Sequence, residues 1–211
     1  MTHLRRSRYC ATAVALLMAM ACAQAQTPVA VNPLLLKPVD QVTPDEVRGM
    51  QQRLSDWPNL ARYREANARV PAKQAGVPRV LFYGDSITQL WGEKDSTQFF
   101  PGQGYLNRGI SGQTTPQMLL RFRQDVIALQ PDVVLILAGT NDIAGNTGPS
   151  TQAMIEDNLH AMVELARAHG IRVVLASVLP VSEYRWMPGI EPAPKVRALN
   201  AALKQYADTQ G

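Results

Sequence analysis

A serine stands at a turn in the stretch "VLFYGDSITQLW", directly after Gly84 and Asp85. Such a serine either caps the helix that follows, a role its hydroxyl suits, or serves as a nucleophile. Two further stretches hold small or amide-bearing residues just past apolar runs: "NRGISGQTT", with Gly109 at its turn, and "AGTND", with Asn141 and Asp142. The chemistry that would use all three is acyl transfer. An ester carbonyl attacked by a hydroxyl becomes a tetrahedral oxyanion, and fixed donors aimed at that oxygen lower the barrier, each contributing about 3–4 kcal/mol. The bland readings are a cap at Ser86, a turn glycine at Gly109 and a turn cap at Asn141-Asp142. All three together require a coincidence.

The elements that would position these residues are legible after Pro78. Short apolar runs at 79–84, 105–109, 132–139 and 171–180 read as strands. The third is apolar throughout, as in a strand covered on both faces. Helices are expected from Thr115 to about Gln130, from about Thr151 to His169 with Gly170 as its C′ glycine, and from about Pro194 to Asp208. Upstream, Thr43-Pro44-Asp45-Glu46 has the pattern of a capping box with proline in the first turn. That helical region continues, interrupted near Trp57-Pro58, to about Arg69. Alternating strands and helices predict an α/β protein, a three-layer α/β/α sandwich on a parallel, flavodoxin-like sheet. Ligands bind such sheets outside the carboxyl ends of the strands, where the three stretches lie.

With those residues in order, the chain resembles the SGNH, or GDSL-type, hydrolases. Gly84-Asp85-Ser86 matches the first family block, Gly109 in "NRGISG" the second, and Gly139-Thr140-Asn141-Asp142 the third. The resemblance covers residues 79 to about 208. It implies an esterase or lipase in which Ser86 is the nucleophile. The implied oxyanion donors are the N–H groups of Ser86 and Gly109 and the side-chain amide of Asn141. Glycine allows close backbone approach, and asparagine supplies N–H donors that aspartate lacks. Asp85, Asp142 and Trp186 are expected to contact substrate. The chain has no G-x-S-x-G elbow.

A serine hydroxyl needs an adjacent base, and the family's base is a histidine in a late Asp-x-x-His block. The chain has three histidines. His160 has that spacing from Asp157 but falls on the polar face of its helix, opposite Ile155, Leu159, Met162, Val163 and Ala166. His169 ends the same helix, where the carbonyl end of the dipole favours it, and His3 lies in the N-terminal leader. The expectation is a chain that stops before a fifth strand and the loop carrying the acid and base. It would have little activity and an exposed edge on its last strand.

Residues 1–25 read as a secretory signal peptide: Arg5, Arg6 and Arg8, an apolar stretch from Ala11 to Ala21, then small residues spaced for cleavage. The apolar run is shorter than the about 20 residues of a membrane span. Residues 26–42 read as a proline-punctuated arm, and 43–211 as the hydrolase-type domain. Without the leader, three arginines and no acid are removed, so the formal charge of +4 falls to +1. Nucleic-acid binding then has no electrostatic basis. Cys10 and Cys22 leave too, so the domain relies on its core and not on disulfides. No cofactor and no metal site are expected. The expected partner is a small-molecule acyl ester, acetylated sugar or lipid, met in the periplasm or outside the cell. Residues 181–194, with Tyr184, Arg185 and Trp186, read either as a substrate-facing lid or as a plain loop. A non-catalytic carbohydrate- or acyl-binding module on the same fold is the alternative.

Overall fold

The computed structural model describes residues 33–91, 99–100 and 103–210; the signal-peptide pattern and both cysteines lie outside them. The capping box forms as its spacing predicts. Thr43 accepts the Glu46 N–H at 3.3 Å, and the Glu46 carboxylate accepts the Thr43 N–H at 2.8 Å. It opens helix α2, Pro44–Ser55, after a four-residue helix α1, Pro33–Leu36, and a 3-10 turn, Val39–Gln41. These two lie in the stretch expected to lack periodicity. A turn at 56–63 leads into α3, Arg64–Ala68.

Four parallel strands follow: β1 Val80–Gly84, β2 Leu106–Gly109, β3 Val133–Leu137 and β4 Arg172–Leu175. They lie in the order β2-β1-β3-β4, the doubly wound arrangement of an α/β/α sandwich. The register sets Gly84 opposite both Gly109 and Leu137, so three strands end level at one edge. The helices are α4 Ser86–Leu90, α5 Thr115–Asp125, α6 Thr140–Ile143, α7 Gln152–Ala168 and α8 Pro192–Gln210. Strand alternation separates the layers. Tyr83 packs edge-on against Phe122 of α5, whereas Phe82 points the other way into Trp91, Phe99, Phe100 and Tyr105.

Several boundaries shift for physical reasons. The helix expected to reach Gln130 ends at Asp125, and a 3-10 turn, Ile127–Leu129, buries Ile127 and Leu129. Gln130 then takes φ 52° as the left-handed residue that closes this turn before Pro131. β3 is fully buried only at Val134 and Ile136; Val133, Leu135 and Leu137 are half-buried. β4 is shorter than the apolar run 171–180, pairs with β3 alone among the described residues, and leaves Val174 47% exposed. α7 ends as expected at Gly170, φ 70°, with Ile171 N–H on the Ala166 carbonyl and Gly170 N–H on that of Arg167, a Schellman closure.

Two charged groups are sealed inside the layers that carry the strand ends. Arg121 is wholly buried. Its Nε donates to Gln113 Oε1 at 2.6 Å, Nη1 to Asp125 Oδ2 at 3.1 Å, and Nη2 to the carbonyls of Arg108 at 2.9 Å and Gly84 at 3.3 Å. Asp142 is 1% exposed and accepts the Thr115 N–H at 3.0 Å and its hydroxyl at 2.6 Å. It fastens the loop after β3 to the start of α5. Burial pushes the Asp142 carboxyl up to about 6, against the hydrogen bonds from Thr115. The substrate contact expected of Asp142 is therefore corrected: its carboxylate faces inward.

Removing one partner of a buried ion pair costs about 3–5 kcal/mol. Arg121→Met is expected to lower unfolding free energy in urea by that amount, and Arg121→Met/Asp125→Leu to recover part of it. A single-variant loss under about 1 kcal/mol would contradict the pairing. For Asp142 the folded protein holds the proton more tightly than the unfolded chain, so its contribution falls as pH rises from about 4 to about 6. Relative to Asp142→Asn, the wild-type chain should gain about 2 kcal/mol between pH 7 and pH 4.5, read from urea midpoints at the two values.

Candidate active site

Ser86 is the first residue of α4, and Asp85 is its N-cap, accepting the Ile87 N–H on Oδ1 at 2.9 Å. The cap is thus supplied one residue earlier. The half-buried Ser86 hydroxyl makes no hydrogen bond among the described residues. Asp85 is 1% exposed, and burial raises its carboxyl above the usual range. Its expected substrate contact is corrected, because both oxygens look into the protein, Oδ2 toward Asn141 Nδ2 at 3.4 Å.

Gly109 also has a different task from the one expected. Its N–H donates to Asn107 Oδ1 at 2.9 Å, and its carbonyl accepts the Tyr63 hydroxyl. A Cβ at Gly109 would lie 2.2 Å from the Gln89 nitrogen and 2.8 Å from the Asp85 carbonyl oxygen. Glycine here lets β2 meet the backbone of α4, and its N–H is already engaged. The same loop holds a second glycine. Gly112 has φ 76°, a Cβ position 3.8 Å from Asn146 Nδ2, and an N–H with no acceptor among the described residues. Its carbonyl accepts Asn146 Nδ2 at 3.2 Å.

Asn141 belongs to a chain of amides whose direction is fixed at one end. Trp186 Nε1, which can only donate, reaches Asn146 Oδ1 at 3.1 Å. That leaves Asn146 Nδ2 to donate to Asn141 Oδ1 at 2.9 Å. Asn141 Nδ2 then points at the Gln113 carbonyl, 3.0 Å away, and toward Asp85. The indole thereby sets which end of the Asn141 amide faces Gln113 and Asp85. Trp186 is 57% exposed and tilts over Tyr184, ring centroids 4.9 Å apart. Tyr184 is buried and bonds the Thr140 hydroxyl at 2.8 Å. Residues 184–187 are accordingly fastened to the loop after β3.

The structure brings Ser86, Asp85 and Asn141 to one strand edge and places Trp186 one amide away. Neither described histidine joins them. His160 is half-buried, and its ring stacks on Tyr206 of α8 at 3.8 Å. His169 bonds the Leu165 carbonyl through Nδ1 at 2.8 Å. The sequence reading passed over Gln113, Asn146 and Arg121. Arg121 and Asp125 lie four apart, with Arg121 beside Met118 and Phe122 on the buried stripe of α5. A charged pair on an apolar stripe was the available signal.

Residues 82–211 match the GDSL-like Lipase/Acylhydrolase family. A GDSL-like lipase of Bacteroides thetaiotaomicron superposes with a TM-score of 0.70 at 44% identity, over 73% of this chain and 75% of that one. A Bacteroides fragilis protein ascribed to the acylhydrolases gives 0.71 at 46%, over 74% of each. The bovine isoamyl acetate-hydrolyzing esterase 1 homolog is 31% identical over 62% of this chain and 59% of its own length. A Bacillus subtilis lipoprotein, YqeF, is 42% identical over 37% of this chain and 33% of its own. The chain spans between a third and about 60% of these curated relatives. No helix among the described residues is long and apolar enough to cross a membrane. With the match covering well over half its length, the chain belongs to the GDSL-like lipase/acylhydrolase family.

Proposed function

We propose that this protein is an exported ester hydrolase that forms an acyl-enzyme on Ser86. The observation that carries the reading is the division of labour at the start of α4. Asp85 takes the capping bond, so the Ser86 hydroxyl stays uncommitted, and the N–H groups of Ser86 and Gly112 lack acceptors among the described residues. The oxyanion would be met by the N–H groups of Ser86 and Gly112 and by the Asn141 Nδ2 hydrogen that reaches Asp85 only at 3.4 Å; Gly112 replaces Gly109, whose N–H is bound to Asn107 at 2.9 Å. Ser86 Oγ bonds to the acyl carbon, the alcohol leaves with a proton, and water later cleaves the acyl-serine. Export rests on the pattern of residues 5–25. The name of the bovine relative, an isoamyl acetate-hydrolyzing esterase homolog, favours a short acyl group.

Both described histidines are engaged away from Ser86, so this chain alone should react slowly. Enzymes stripped of a triad member still exceed water by roughly 10³–10⁴ through the oxyanion hole and binding. A fluorophosphonate should therefore label the chain slowly, at Ser86, and Ser86→Ala should remove the label. Asn141→Ala should slow labelling by about 10²-fold. Labelling elsewhere, or none after prolonged exposure, would count against the reading. Trp186→Phe keeps the ring and loses the donor, and should slow labelling up to about tenfold, the worth of one hydrogen bond. An unchanged rate would remove the indole from the positioning of Asn141.

A further inference from the structure

A cavity of about 530 Å³ separates α2 from the loop after β2, within the range of small-molecule sites. One wall holds Gln52, Arg53 and Asn59; the other holds Gly112 and Asn146, which belong to the proposed oxyanion site. The first wall lies upstream of the residues that match the family. It is built on firm backbone. Gln117, Gln113 and Gln124 donate their side-chain amides to the carbonyls of Trp57, Pro58 and Leu60 at 2.6, 2.8 and 2.7 Å. The Asp56 carboxylate accepts the N–H groups of Leu60 and Ala61, each at 2.8 Å.

Apart from Trp57, every residue of the lining is polar or glycine. No leucine, isoleucine, valine, methionine or phenylalanine lines the cavity. Gln52 and Asn59 offer both donors and acceptors. The exposed Arg53 uses Nε on the Gly49 carbonyl at 3.3 Å and pairs with no carboxylate among the described residues. An alkyl chain in this space would strip water from amides and a guanidinium and return no hydrogen bonds, an unfavourable exchange. A hydroxyl-rich ring returns them in kind.

We infer that this cavity is the subsite for the alcohol half of the ester, and that this alcohol is a sugar, held by Gln52, Arg53 and Asn59 while its acyl group meets Ser86. The assignment of an alcohol half rests on the ester-hydrolase reading above. The specificity residues are then contributed from before β1.

The test is binding of a mono-O-acetylated methyl xyloside to the 211-residue chain carrying Ser86→Ala, which removes turnover, followed by calorimetry or NMR titration. Saturable millimolar binding is expected, with Arg53→Ala and Asn59→Gly each raising Kd about three- to tenfold, one hydrogen bond apiece. Asn59 has φ 57°, a conformation glycine adopts without strain, so that variant keeps the wall while losing the amide. Thermal melts confirm folding. Absence of saturation, a Kd unchanged in both variants, or tighter binding of ethyl octanoate than of the glycoside would overturn the subsite. Fluorophosphonate labelling of Ser86 in the unsubstituted chain separates the two claims. Labelling without glycoside binding ends the sugar subsite and leaves the hydrolase, whereas variant-sensitive binding without labelling ends the hydrolase and with it the assignment of an alcohol half, leaving a sugar-binding cavity.

Discussion

A guanidinium shut away from water holds the strand ends of this protein in register. Arg121 reaches the last carbonyl of β1 at Gly84, the Arg108 carbonyl of β2, the Gln113 side chain in the loop after β2, and the Asp125 carboxylate. It also lies over the Tyr83 ring, 4.2 Å from its centroid. Lysine could not do this. Only the planar fork of arginine aims several donors in fixed directions at once while its flat face rests on an aromatic ring. Asp85 and Ser86 follow Gly84 directly, so the position of Ser86, the proposed nucleophile, is inherited from that fork. A buried charge of this kind adds little to stability beyond what apolar residues would give. What it contributes here is a single arrangement of the loops.

Gln113 extends that control to the amides. Its side chain joins Arg121 to the Pro58 carbonyl, and its own carbonyl receives Asn141 Nδ2. From the other direction Trp186 fixes Asn146, and Asn146 fixes Asn141. The amide is therefore oriented before any ligand arrives, and in its proposed oxyanion role a donor already aimed would need no reorganisation as charge develops. Asp85 and Asp142 belong to the same framework, one capping α4 and the other the start of α5.

Much of this was legible in the sequence. The apolar runs located all four strands, the Thr43–Glu46 spacing gave the first long helix, and Gly170 marked the end of α7. Those signals are local, set by pleat, capping and backbone freedom. The choice between Gly109 and Gly112 was not legible. Both are small residues just past a strand, and only three dimensions show that one N–H is bound to Asn107 while the other is open. Nor could composition show that Asp85 and Asp142 turn inward, because an acidic residue at a strand end reads the same whether it meets a ligand or a helix N-terminus. The pattern of one helix also says nothing about which helix packs beside it: Asp157, Glu164 and Arg167 on the polar face of α7 are exposed as expected, whereas the His160 ring stacks on Tyr206 of α8.

The grip on residues 57–60 has one more consequence. Glutamine side chains hold this stretch by its carbonyl oxygens, and every amino acid presents the same carbonyl. Lineages of this protein could therefore exchange the side chains along the stretch, and with them the taste for one ligand over another, without loosening the attachment. In the proposed subsite, selectivity would be free to drift on a mooring that does not read sequence.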